Sequence, residues 1–205
     1  MKLIIGLTVL LHTALVVNAL ASESFDISLE KALTLDYRFQ SRMSGVRLLN
    51  VSAAINLDQG KIYSEELLQQ LPLLRGNKNW KCLADAIYFE ARGETIEGQY
   101  AVAEVILNRA ASKAYPNNIC SVVKQGGVRR DRCQFSYMCD GKFEVIREPK
   151  SFARSAKIAT IMLKGTPRNL THGAMYYHSK SVSPSWSKTF HLTTTIGHHH
   201  FYTPY

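Results

Sequence analysis

The chain has 205 residues, 46% hydrophobic and 20% charged, proportions that fit one globular domain with an appendage and exclude wholesale disorder and collagen-like repeats. Its 25 Lys and Arg outweigh 16 Asp and Glu, a formal charge of +9 that leaves three anionic partners open: nucleic acid, a membrane surface or an acidic cell-wall polymer. The only long apolar run lies at the start, so a polytopic membrane protein is excluded.

Residues 1–21 read as a secretory signal. Lys2 precedes an apolar run from Leu3 to Val17, and Ala19-Leu20-Ala21 puts small residues at −3 and −1 before Ser22. An uncleaved anchor is the alternative, although Thr8, His12 and Thr13 interrupt the apolar length a span needs. Either way the chain is expected to be exported, to the periplasm or cell envelope, with no stable membrane span once the signal is removed. Residues 22–79 carry seven basic and seven acidic groups, whereas residues 80–205 carry seventeen and nine, so the basic excess lies in the later segment. The earlier one holds a helical stretch near Ser64–Leu71 and a polar junction from Leu73 to Asn79, and reads as a helical appendage or spacer without reactive groups.

After residue 80 the pattern is mainly helical with a late β portion. Trp80–Arg92 places Leu83, Ala86, Ile87 and Glu90 at i, i+3, i+4 and i+7, one face of a helix that Gly93 stops. Thr95 is suited to cap a second, central helix running to Ala111. Tyr115–Asn118 predicts a turn, Ile119–Val123 a short helix and Ser151–Leu163 a third main helix. Gly173–His178 and Thr193–Tyr202, rich in aromatics and Thr, read as strands. Four cysteines in an exported chain imply two disulfides with three possible connectivities. The favoured pairing is Cys133–Cys139, closing a short loop, with Cys82–Cys120 tying a helix to a later segment; four free buried thiols are the alternative.

The sharpest candidate for chemistry is Glu90. A carboxylate on the apolar face of a helix is desolvated, and desolvation raises its pKa toward that of a general acid. The competing reading is a capping carboxylate paired with Arg92 or a neighbouring Arg. Glu104, within the apolar second helix, is either a buried structural partner for Arg or Asn, or a second carboxylate facing the site. Glu94 is the other possible second carboxylate, although Gly93 breaks its helical register with Glu90. In His198-His199-His200, strand alternation lets at most His198 and His200 share a ligand sphere, and no HExxH or close Cys pair supports a metal. No G-x-S-x-G elbow or P-loop is present. The Arg129–Arg132 cluster suits nucleic acid in isolation, but export and disulfides favour an anionic glycan or peptide carboxylate.

These residues also carry a resemblance. Cys82-Leu83-Ala84-Asp85-Ala86-Ile87-Tyr88-Phe89-Glu90-Ala91-Arg92-Gly93-Glu94, then Glu97-Gly98-Gln99 and Ala101–Arg109, resemble the bacterial cell wall hydrolase family typified by spore-cortex-lytic enzymes. Cys133-Gln134-Phe135-Ser136, Gly173–Tyr177 and Thr195-Ile196-Gly197 with His199 continue the match in order, over about residues 80–205. The cysteines depart from the spore enzymes and look like those of Gram-negative relatives. The first 79 residues do not resemble the peptidoglycan-binding repeat of the spore enzymes.

The resemblance implies an α+β, mainly helical, lysozyme-like or lytic-transglycosylase-like catalytic domain with a small β element. It also implies peptidoglycan as substrate and Glu90, the first Glu of E-A-R-G-E, as catalytic acid. Gln134, Phe135, Ser136, Tyr177 and His199 are then candidate substrate-binding residues; Phe135, Tyr137, Tyr176 and Tyr177 would stack on sugars, or else form core. A single carboxylate favours a lytic transglycosylase, which needs neither metal nor cofactor because the substrate's own 6-hydroxyl is the nucleophile. A hydrolytic muramidase or glucosaminidase needs a second acidic group. A non-catalytic peptidoglycan-binding module of an envelope assembly is the alternative from another functional class, and the oligomeric state stays open.

Overall fold

A computed structural model describes residues 62–126 and 133–204, apart from the side chain of Ser136. The signal-like segment, most of the expected spacer and the Arg129–Arg132 cluster lie outside the described residues. The element order is α1 (Glu65–Gln70), α2 (Lys78–Ala91), α3 (Ile96–Ala111), α4 (Ile119–Val123), α5 (Pro149–Leu163), β1 (Tyr176–Ser179), β2 (His191–Ile196) and β3 (His199–Thr203). The fold is thus α+β and mainly helical, with a small sheet at the C-terminal end.

Local chemistry sets most helix starts. Ser64, Asn77, Thr95 and Asn118 each sit at an N-cap and accept a bond from the backbone N–H three residues on. Pro149, which lacks an N–H, opens α5 where none is needed. α2 ends at Ala91, two residues before Gly93.

Helices α2, α3 and α5 enclose the core through Leu83, Ile87, Val102, Ile106, Ile158 and Ile161, all essentially inaccessible. Each such side chain contributes about 1.5–3 kcal/mol through burial. Trp80 ties α2 to α5, its indole N–H lying 3.1 Å from the Ala156 carbonyl and 2.9 Å from the Thr160 hydroxyl. Ile62 and Leu68 are buried in the same core, and the Lys157 ammonium donates to the Leu68 carbonyl at 2.8 Å. The packed body therefore begins before the boundary expected at residue 80. Tyr63 and Leu71 pack against that core as well, and contacts so irregularly spaced do not register as one helical face.

The sheet has strand order β1-β3-β2 and is antiparallel throughout. Tyr177 pairs with Phe201 across β1 and β3, and Ile196 with His199 across β2 and β3. Phe201, Ala101, Val105 and Ala174 form a second small core that seats the sheet on α3. Cys82 is joined to Cys120, linking α2 to α4 with a Cα separation of 5.2 Å, and Cys133 to Cys139 at 5.9 Å.

Candidate active site

Glu90 lies in the last turn of α2, on the face it shares with buried Leu83 and Ile87. Burial raises its carboxyl pKa above the ordinary value, opposed by a hydrogen bond from Tyr177. The Tyr177 hydroxyl donates to Glu90 Oε2 at 3.0 Å. Burial and the nearby Glu90 charge push the phenol's own pKa well up, so it stays a donor. Tyr177 therefore does not present a sugar-stacking face alone: its polar end fixes the carboxylate. This contact spans 87 residues, beyond the reach of any local pattern.

Polar residues on α3 hold the segment that delivers Tyr177. Glu104, 1% exposed, accepts from Leu170 N–H at 3.1 Å, Thr171 N–H at 2.9 Å and the Thr171 hydroxyl at 2.8 Å. Asn108 donates to the Ala174 carbonyl at 2.9 Å, and Arg109 to the Met175 carbonyl at 2.6 Å. The Arg109 guanidinium, also buried, lies over Tyr115 and Tyr176, each at 5.4 Å from the ring centre. Glu104 is thus neither a second carboxylate in the site nor a partner for Arg or Asn. Its oxygens are spent on loop N–H and hydroxyl groups, which sequence patterns do not display.

Glu94 is also committed. Its Oε2 accepts from His198 N–H at 2.9 Å, and its Oε1 lies 3.3 Å from His198 Nδ1 and 3.4 Å from His199 Nδ1. A Cβ on Gly197, which has φ 57°, would collide with Glu94 Oε2. One on Gly98 would fall 2.9 Å from Glu94 Cβ. The E-A-R-G-E glutamate and the two glycines together form a cradle that pins the β2–β3 turn against the start of α3. His198 sits in that turn rather than in a strand, so His198 and His199 both reach Glu94, against the alternation expected from a continuous strand.

His199 is 8% exposed and packs edge-on to Tyr177, with ring centres 5.1 Å apart. Its Nδ1 is buried without hydrogen-bond geometry to any partner. Burial lowers its pKa and so favours the neutral imidazole, while the Glu94 carboxylate opposes that shift. His199 thus backs Tyr177 from behind. Among the described residues no group of three or more His, Cys, Asp or Glu is placed to hold a metal ion.

The other expected binding residues divide. Phe135 is 1% exposed and belongs to the main core, so it is not a sugar platform. Aromatic composition alone does not separate a stacking face from packing. Gln134 is exposed, with its N–H bonded to the Gln125 carbonyl at 3.0 Å. Tyr137 stacks on Phe89, the neighbour of Glu90, with ring centres 4.6 Å apart and 19° between planes. Tyr176 packs among Tyr115, Trp186 and Phe190.

Glu90 is thus a desolvated carboxyl group held by a phenol. The Cell Wall Hydrolase family profile matches residues 93–202, and the chain belongs to that family. Glu90 lies three residues before the matched span. The spore cortex-lytic enzyme of Bacillus subtilis is 33% identical over 109 residues, 53% of this chain and 32% of that protein. Those of Oceanobacillus iheyensis and Halalkalibacterium halodurans are 35% and 31% identical, over 58% and 68% of this chain and 39% and 35% of theirs. The chain thus spans about a third of the length of these curated relatives. The catalytic domain of the germination-specific lytic transglycosylase SleB from Bacillus anthracis is a similar solved structure, 30% identical, with a TM-score of 0.48 over 65% of this chain and all of that one.

Proposed function

We propose that this chain cleaves the glycan strands of peptidoglycan as a lytic transglycosylase, with Glu90 as its single general acid and base. The observation that carries the reading is Glu90 itself: a carboxyl group whose pKa is raised by burial, aimed by the Tyr177 hydroxyl at 3.0 Å. In the proposed reaction, protonated Glu90 donates to the glycosidic oxygen between N-acetylmuramic acid and N-acetylglucosamine, and the bond to the muramic anomeric carbon breaks. The carboxylate then takes the proton of the muramic 6-hydroxyl as that oxygen bonds to the same carbon, closing a 1,6-anhydro ring. Proton, leaving group and nucleophile balance within one substrate, so no metal or cofactor enters.

A hydrolytic muramidase or glucosaminidase needs a second acidic group to place water. Of the three candidates for that group, Glu94 is engaged by the β2–β3 turn and Glu104 by the 170–171 loop, which favours the transglycosylase, while Glu97 is exposed at the start of α3. A purely binding role would give no reason to keep a desolvated carboxyl group beside a phenol. Secretion to the periplasm or cell envelope is part of the proposal and rests on residues 1–21. No helix among the described residues is long and apolar enough to cross a membrane. The test is turbidity loss of purified peptidoglycan by the chain beside its Glu90→Gln variant. Lysis by the parent and none by a folded variant is expected. Comparable lysis by both would remove Glu90 from the mechanism.

A further inference from the structure

The two glutamates of E-A-R-G-E are joined twice. Along the chain, Ala91, Arg92 and Gly93 connect Glu90 to Glu94. Through space, side chains of β3 and β1 close the circuit. The Glu94 carboxylate lies 3.4 Å from His199 Nδ1, the His199 ring meets Tyr177 edge-on with 5.1 Å between centres and 88° between planes, and the Tyr177 hydroxyl donates to Glu90 at 3.0 Å. Strand register builds this row: Tyr177 pairs with Phe201, and His199 lies on the same face of β3 as Phe201, diagonal to Tyr177. The Glu94 end is fixed. Its N–H bonds the Ala91 carbonyl at 2.9 Å, its carbonyl accepts from the Gln99 amide at 3.2 Å, and its side chain accepts from His198 N–H at 2.9 Å. Tyr177 is therefore bounded by His199 and by Phe201, whose ring centre is 5.9 Å away. A hydrogen bond weakens steeply when misaligned, so whatever limits the swing of the Tyr177 ring also limits the loss of its bond to Glu90.

We infer that His199, seated on Glu94, is a positioning residue that keeps the Tyr177 hydroxyl aimed at Glu90 and so sets the proton affinity of that carboxyl group. Its catalytic meaning rests on the reading of Glu90 as the proton donor. The second glutamate of the motif thereby gains a role: it seats the residue that aims the partner of the first. The titratable groups that bear on His199 are Glu94, His198 and His178, and those in the field of Glu90 are Tyr177 and Tyr137. A neutral imidazole, which burial favours, packs its edge against the phenol without bringing a positive charge toward the acid.

The experiment titrates the Glu90 carboxyl by carbon NMR in glutamate-labelled protein, its signal assigned by loss in Glu90→Gln, beside the pH–rate profile of lysis. His199→Gln and His199→Leu both fill much of the imidazole volume without a ring edge, so either one, folded, serves. The Tyr177 hydroxyl favours the ionised carboxyl, so losing its aim should move the Glu90 titration and the alkaline limb of the profile to higher pH. The saturated lysis rate should fall about tenfold, with pelleting on insoluble peptidoglycan, measured in the Glu90→Gln background, unchanged. His199→Phe restores a ring edge and should bring both readouts back toward the parent. With Tyr177 already replaced by Phe, His199→Gln should move neither further. An unmoved titration in the folded variants would overturn the inference, as would an equal shift in the Tyr177→Phe background. Lost pelleting with the titration unmoved would overturn it too, placing His199 against the glycan instead. A parent that shows the predicted titrations but does not lyse peptidoglycan would remove the proposed function and leave the positioning role standing.

Discussion

Replacing Glu104 by Gln separates a structural carboxylate from a catalytic one. In the native protein Oε1 accepts one N–H, from Leu170, while Oε2 accepts the N–H and hydroxyl of Thr171. An amide has one acceptor oxygen, so in its milder orientation the new NH2 group faces Leu170 N–H and one charge-assisted bond is lost. That loss is worth about 1.5–3 kcal/mol in a buried setting, or roughly 5–10 °C in melting temperature for a body of this size. Glu104→Ala would strand all three donors and cost roughly 3–5 kcal/mol, a large part of a typical domain's stability. Urea unfolding with lysis assayed on the folded fraction reads both effects. The expected result is a destabilised Glu104→Gln protein whose folded molecules still lyse peptidoglycan. A variant as stable as the parent but inactive would return Glu104 to the chemistry and refute the reasoning.

Two further outcomes follow from the same geometry. Removing the Cys82–Cys120 bridge, which closes 38 residues, should cost about 4 kcal/mol, against about 2 kcal/mol for Cys133–Cys139, which closes six; paired Cys→Ser variants in urea unfolding give the order directly, and the reverse order would contradict it. Because the Tyr177 hydroxyl favours the ionised form of Glu90, Tyr177→Phe should raise the Glu90 pKa further. Activity that needs protonated Glu90 is lost as pH rises through that pKa, so the alkaline limb of the pH–rate profile should move to higher pH while the maximal rate falls. An unmoved limb would separate Tyr177 from the acid.

Helix limits were legible because they are local. Thr95 carries its capping chemistry within a few residues of the boundary, and Glu90 follows from the register of Leu83 and Ile87 on a single turn-by-turn face; Gly93 marks the end of α2 without adopting the left-handed cap expected of it, Arg92 being the C-cap. What the sequence could not display is what lies across the fold. Tyr177 meets Glu90 over 87 positions, and Glu104 meets Thr171 over 67. Asn108 and Arg109 hold the approach to β1 from 66 positions away, a role with no local signature. Phe135 shows the same limit in reverse: a conspicuous aromatic beside a Cys proves to be core, because burial is decided by the helices that close over it. Glycine offered the one overlooked signal. Gly98 and Gly197 both lack a Cβ because Glu94 occupies the space, a pairing visible only once the turn and the helix start are brought together.

The proposed mechanism requires Glu90 to act without a second carboxylate, and the product reports this directly. Peptidoglycan digested in ¹⁸O-labelled water and analysed by mass spectrometry should yield fragments ending in 1,6-anhydro-N-acetylmuramic acid, with no label at the cleaved bond. The muramic 6-hydroxyl outcompetes water because an oriented intramolecular nucleophile reaches an effective molarity of about 10⁵ M or more. Labelled reducing ends on muramic acid, or on glucosamine, would mean that a positioned water is the nucleophile and would contradict the single-carboxylate mechanism.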